Sequence, residues 1–132
     1  MALLPDVGVY LAAAGLSLTV GTNLFYGRLP DGPDKCVAIY ESNGTIPIET
    51  MSDNTEPPVV HPGLQVLARD GSYADAQTLA EDVWQKLTLV SNETLSSTRY
   101  LRVAPVQQPA PIERDSQDRV LFSCNFDVLK AL

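Results

Sequence analysis

The residues able to do chemistry are few and far apart in this chain. His61 is its only histidine, and Cys36 and Cys124 are its two cysteines. A nucleophilic triad needs a base, an orienting group and an activated hydroxyl or thiol, and a lone histidine followed by Pro62 lacks those partners. His61 therefore reads as a surface residue near the start of a strand. No G-x-S-x-G elbow, G-x-G-x-x-G turn or phosphate loop occurs. Asp31/Asp34 and Glu81-Asp82 are acidic pairs of a kind used in acid–base or metal chemistry. Their settings, a Pro/Gly-rich turn and a helix face, favour a solvated turn and a solvated surface instead. Two widely spaced cysteines and one histidine make no metal pattern. Both cysteines lie in strand-like runs and read as buried, reduced thiols. The chain is accordingly read as a non-enzyme with no cofactor and no metal.

Composition narrows the remaining classes. The 132 residues fit a single domain, 1–132, and an apolar content of 45% is enough for a core. The formal net charge is −7, and the nine basic residues are scattered. Nucleic-acid binders concentrate Lys and Arg, because phosphate contacts supply most of their affinity. The acidic balance argues against them, and against attachment to anionic membranes. Residues 7–20 are rich in apolar and small side chains. No basic residue precedes them, Pro5 and Asp6 interrupt their start, and the run is short for a membrane span. The expectation is a soluble protein made inside the cell. Without a secretory route, the sequons at Asn43 and Asn92 carry no weight.

The elements that would position any functional loop centre on residues 63–87. Leu64, Val66 and Ala68 alternate with Gln65, Leu67 and Arg69 at the period of a strand. Tyr73, Ala76, Leu79, Ala80, Val83, Trp84 and Leu87 follow at helical spacing and form one apolar stripe, with Tyr73 and Trp84 read as core. Ser72 is a natural N-cap, with Asp75 near the positive end and Lys86 near the negative end. Residues 2–14 read as a first helix. Strands are expected at 16–24, 36–41, 99–106 and 120–128. Residues 88–98 and 107–118 read as polar connections. Residues 45–62, with four prolines, read as a projecting loop or hairpin at 43–62. The order α-β-β-β-α-β-β gives an α+β domain, a mixed or antiparallel sheet of about five strands with two helices on one face.

No catalytic constellation emerges. What remains is an extended loop, wet strands and sheet edges that must be covered or paired. That profile suits an assembly protein, since head-to-tail contacts between copies close a ring. Residues 24–42, LFYGRLPDGPDKCVAIYES, resemble a segment of the tail terminator proteins of long-tailed bacteriophages. Residues 63–87, GLQVLARDGSYADAQTLAEDVWQKL, resemble their next block, a strand, a Y-x-x-A and a helix. Residues 107–129, QQPAPIERDSQDRVLFSCNFDVL, resemble their last, a proline-led connection into a strand with aromatic-Ser-x-Asn-Phe. The likeness weakens over 45–62.

The resemblance implies a virion protein, assembled in the host cytoplasm and located at the head–tail junction. Such proteins form a ring, usually a hexamer, that caps the tail tube, ends its polymerisation and meets the head connector. The implied partners are other copies of itself, the tail tube protein and head-completion or neck proteins. Genome DNA passes through the bore without specific binding, and no membrane is involved. The alternatives are a head-completion or neck protein, a small hydrolase using His61, and a binding domain that forms no ring. Subunit and tube contacts are expected on the long loops at 27–35, 45–62 and 107–118. The residues singled out there are Arg28, Asp31, Asp34, Lys35, Glu49, Asp53, Glu56, His61, Glu113, Arg114 and Asp115.

Overall fold

The computed structural model describes residues 3–48 and 59–131. Helix α1 is Leu3–Ala12, then come β1 (Leu24–Tyr26), β2 (Cys36–Ile48) and β3 (Val59–Asp70). Helix α2 (Tyr73–Thr88) precedes β4 (Ser91–Leu95), β5 (Thr98–Pro105), β6 (Ala110–Arg114) and β7 (Val120–Ala131). The seven strands form one mixed sheet in the order β1-β2-β3-β7-β5-β4, with β6 also on β7. Among the described strands β1 and β2 run parallel and the other strand pairings are antiparallel. β7 therefore has β3 on one side, and on the other β6 beside its first half and β5 beside its second.

Both strands beyond the expected five come from segments that read as polar connections. β4 has four exposed residues and then buried Leu95, and all five residues of β6 are exposed. An edge strand with no buried face carries no alternating apolar signal, so periodicity cannot reveal it. β4 turns into β5 through Ser96 and Ser97, both at positive φ, as a two-residue hairpin turn requires, but without the Asn-Gly pair that announces such turns. The opposite correction applies at 16–24, where only the last residue joins a strand. Ser17, Gly15 and Gly21 have positive φ, and the Asn23 side chain bonds Thr19 N and Ser17 O, which folds the segment into turns. β2 and β3 pair as far as Ile48 and Val59. Of the expected projecting segment at 43–62, residues 49–58 lie outside the described residues.

Register dictates the core. Leu64 lies opposite Phe126, Val66 opposite Cys124 and Ala68 opposite Phe122, while Val37 and Ile39 continue the same face across β2. Leu3, Val7 and Leu11 of α1 and Ala76, Leu79, Ala80, Val83 and Leu87 of α2 close over that face. Each large apolar side chain fully buried there contributes about 1.5–3 kcal/mol. α2 starts as its sequence demands, with Ser72 Oγ accepting from Asp75 N at 3.2 Å. Tyr73 and Trp84 are not core as expected. Tyr73 stays 47% exposed, its ring meeting Phe122 edge-on at 5.2 Å. Trp84 is half-buried and donates to Gln107 O at 3.1 Å, tying α2 to the β5–β6 connection. An aromatic ring at the stripe's margin can shield the core and still use its polar rim.

α1 is held by two polar ties as well as its leucines. Tyr10 Oη donates to Lys86 O at 2.6 Å, joining the helices. Tyr100 Oη donates to Asp6 Oδ2 at 2.8 Å, with both residues buried. Buried Lys130 sets its ammonium 5.7 Å from the Tyr100 ring centre. α1 also crosses β1 so closely that a Cβ on Gly8 would sit 2.1 Å from Tyr26 Oη. No helix is long and apolar enough to cross a membrane among the described residues.

Candidate functional site: an arginine-clamped loop at one end of the sheet

β2 begins, β3 ends, β6 ends and β7 begins at the same end of the sheet, because Cys36 pairs with Arg69, Asp70 with Val120, and Arg114 with Val120. Three connections converge there: the loop 27–35, the turn into α2 at 71–72, and the turn 115–119. Two arginines join them. Arg69, last but one in β3 and 2% exposed, donates from Nη1 to Pro30 O at 2.6 Å and from Nη2 to Pro33 O at 2.7 Å. Its Nε reaches Asp34 O at 3.3 Å. Arg119, 4% exposed, donates from Nε to Asp115 Oδ2 at 2.8 Å and from Nη1 to Asp34 Oδ1 at 3.3 Å and to Asp31 O.

The chemistry suits the sequence. A Leu-Pro-Asp-Gly-Pro-Asp turn cannot pair its carbonyls with a neighbouring strand, and prolines supply no N–H in return. A guanidinium offers five donors in a fixed fork, and bonds to a charged donor are about twice as strong as neutral ones. Burying the Arg119 charge is compensated by Asp115 and Asp34. Burial pushes the Asp115 carboxyl up. The hydrogen bonds from Arg119 backbone and side chain, from Gln117 N, and the Arg119 charge outweigh it, so the carboxyl titrates below its ordinary range. Under the loop lies Cys36, whose thiol burial pushes up while Arg69 and Arg119 pull against that. Cys124 faces the helix side, and burial pushes its thiol up to about 12. Both are free buried cysteines.

The clamp leaves an acidic rim outside. Asp31 is exposed, and the side chains of Asp34 and Asp118 are 69% and 84% exposed. Glu113 is exposed on β6. Arg114 sits 3.5 Å from Asp118, and Lys35 turns inward to Leu16 O at 3.1 Å. Arg28 lies 6.0 Å from the centre of the Phe25 ring. Beside the rim, Tyr73, Pro111, Ile112 and Val120 line an open cleft of about 310 Å³ with Glu113 and Arg114.

Arg28 follows β1, whose Tyr26 lies beside Ile39 with Gly27 N bonded to Ile39 O, so it leaves the sheet short of this end. Of the residues expected at contacts, Asp31, Asp34, Lys35, Glu113, Arg114 and Asp115 are collected there. His61 is not. It lies on β3 opposite Thr45, toward the far end. Glu49, Asp53 and Glu56 lie outside the described residues. Arg69 and Arg119, which organise the end, were not among the expected residues. No local signal marked them, since Arg69 shares β3 with Gln65 and Asp70, and Arg119 follows the polar run Asp115–Asp118. Among the described residues, no group of three or more His, Cys, Asp or Glu is placed to hold a metal ion.

No curated protein matches this chain significantly. Among solved structures, a chain from the virion of a native gene transfer agent particle aligns with a TM-score of 0.67 and 19% identity. The alignment covers 98% of this chain and 95% of that one. A second solved chain aligns with a TM-score of 0.51 and 14% identity, over 96% of this chain and 90% of the other. At these identities the likeness speaks for the fold. Residues 10–131 match the family model described as bacteriophage tail terminator protein, so the chain belongs to that family and has a structural role in the phage virion.

Proposed function

We propose that the protein caps the finished tail tube as a ring of identical subunits, stops tube polymerisation and presents its outer surface to the head or neck connector. The observation carrying this reading, beyond family membership, is the clamped loop. Two buried arginines hold an exposed loop, each with its donors bonded to groups of the fold. A loop already ordered loses little entropy on docking, so rigidity there favours a protein contact. The open edges β1, β4 and β6 leave contact surface on both margins of the sheet. A head-to-tail ring uses two different surfaces of each copy and has two different faces, one for the tube and one for the connector. A net charge of −7 suits a bore through which DNA slides without being held. The protein is read as a non-enzyme.

The test is tube growth. Purified tail tube protein is allowed to polymerise on its natural initiator with and without this protein, and lengths are measured by negative-stain microscopy. Tubes should stop growing and carry a ring at one end. Unchanged growth, with no density added at the tips, rejects the proposal.

A further inference from the structure

We infer that neighbouring copies in the ring meet by charge: the acidic clamp end of one subunit docks on Arg99 and Arg102 of the next. This rests on the ring reading above and names the surfaces that close it. The nine Lys and Arg residues are divided unevenly over the molecule. Arg69, Arg119 and Lys130 are buried, Arg69 and Arg119 in the clamp and Lys130 against Tyr100. Lys35 is turned inward and Arg114 is paired with Asp118. Of those left, only Arg99 and Arg102 are close in sequence and share a strand. Both are exposed on β5, where Arg102 lies opposite Leu129 and Ser91, and Arg99 opposite Thr94. Arg99 donates to Asn92 Oδ1, a neutral group, and neither arginine sits in an ion pair among the described residues.

Asp31, Asp34 and Glu113 are exposed at the clamp end, while of the cations there Lys35 is turned inward and Arg114 already has a partner. The two patches occupy different parts of the sheet. Glu113 lies opposite Leu121 at the start of β7, and the loop with Asp31 and Asp34 is bonded to Arg119 just before it, while Arg102 lies opposite Leu129 near the other end of β7. A patch and its complement on different sides of one subunit make a contact that propagates head to tail, and closes where the rotation allows. Strand addition is the poorer route. β4 carries Asn92 at φ 56 and β6 carries Pro111 with a register shift beside it, both of which blunt an edge. Side-chain charge therefore sets the contact, with the Arg69 and Arg119 clamp holding the acidic partner in shape.

The experiment uses two full-length variants. Asp31→Lys with Glu113→Lys makes both patches basic, and Arg99→Glu with Arg102→Glu makes both acidic. All four positions are exposed, and circular dichroism checks the fold of each variant. Assembly is followed by sedimentation and negative stain at low salt, with tube ends added. Wild type should form rings that weaken as salt rises. Each variant alone should lose ring formation by roughly tenfold or more, since like charges then face each other. An equimolar mixture should recover it, because every junction again joins acid to base. Rings formed equally well by each variant alone would overturn the inference and leave the ring reading standing. Folded variants that stay apart on mixing would overturn it too. A wild type that forms no ring, free or on tube ends, removes the ring reading itself.

Discussion

Arg119 Nε and Asp115 Oδ2 meet at 2.8 Å across a four-residue step, and the same guanidinium reaches the loop 27–35 in another part of the chain. Asp115 is thereby the anchor of the clamp. Its carboxylate also accepts from Gln117 N at 3.0 Å and Arg119 N at 2.9 Å, closing the turn before β7. The pair joins a local turn to a distant loop, so its loss should be felt in both.

The first consequence concerns acid. The folded Asp115 titrates below its ordinary value, so its contribution is complete above the unfolded pKa of about 4 and is lost as pH falls through the depressed value. Once the intrinsic slowing of exchange in acid is divided out, the protection factors of the Gln117 and Arg119 amides, both bonded to the Asp115 carboxylate, should fall on acidification before those of α2. Asp115→Asn should show reduced protection there already at neutral pH. Equal protection of these two amides in the two proteins at pH 7 would sink the idea.

Arg69 makes a separate prediction, because its partners are carbonyls rather than acids. Arg69→Met keeps the stem and removes three donors from Pro30, Pro33 and Asp34. Stability in urea should fall by about 1–3 kcal/mol. Capping of tubes should fall further than stability explains, because the loop would lose its shape while the core remains.

Tyr100→Phe tests the polar tie beneath α1. Burial, the hydrogen bond to Asp6 and the nearby charges of Asp6 and Glu41 all push the Tyr100 phenol upward, so it keeps its proton throughout the neutral range. Removing the hydroxyl strands a buried carboxyl and should cost about 1–3 kcal/mol in chemical denaturation. An unchanged midpoint would mean that Asp6 finds another donor.

Gly8→Ala should cost about 1–3 kcal/mol through overpacking. The new Cβ would fall 2.1 Å from Tyr26 Oη and 2.5 Å from Cε1, so α1 or the ring must move. The loss measured with Tyr26→Ala already present should be much smaller, and strict additivity of the two changes would argue against direct contact.

Thiol labelling supplies the last check. Cys36 and Cys124 are 0% and 1% exposed, and burial raises both thiols. Neither should react with a disulfide reagent at pH 8 until denaturant unfolds the chain. A fast-reacting cysteine in the native protein would place one of them at the surface.

Much of this architecture was readable one segment at a time. The Ser72 cap, the stripe from Ala76 to Leu87 and the alternation of Val120, Phe122, Cys124, Phe126 and Val128 need only neighbouring residues, because helix and strand periods are local properties. Each of these became the element its spacing implied. β4 and β6 escaped because their backbones pair at an edge where solvent imposes no pattern on the side chains. The turns at 13–23 escaped because Leu16, Leu18 and Val20 alternate by composition, while positive φ at Ser17 and Gly21 bends the backbone away from a strand. The clamp could not be read at all. Arg69 and Arg119 are fifty positions apart, and they reach loop partners 39 and 88 positions away along the chain. Sheet register alone brings them under one loop, since the number of residues in β2, β3 and β7 decides which strand ends coincide. The sequence by itself determined which segments are helix, core strand or proline-led turn. The fold decided which of those turns share an end of the sheet, because long-range pairing depends on closing loops of chain that no local window contains.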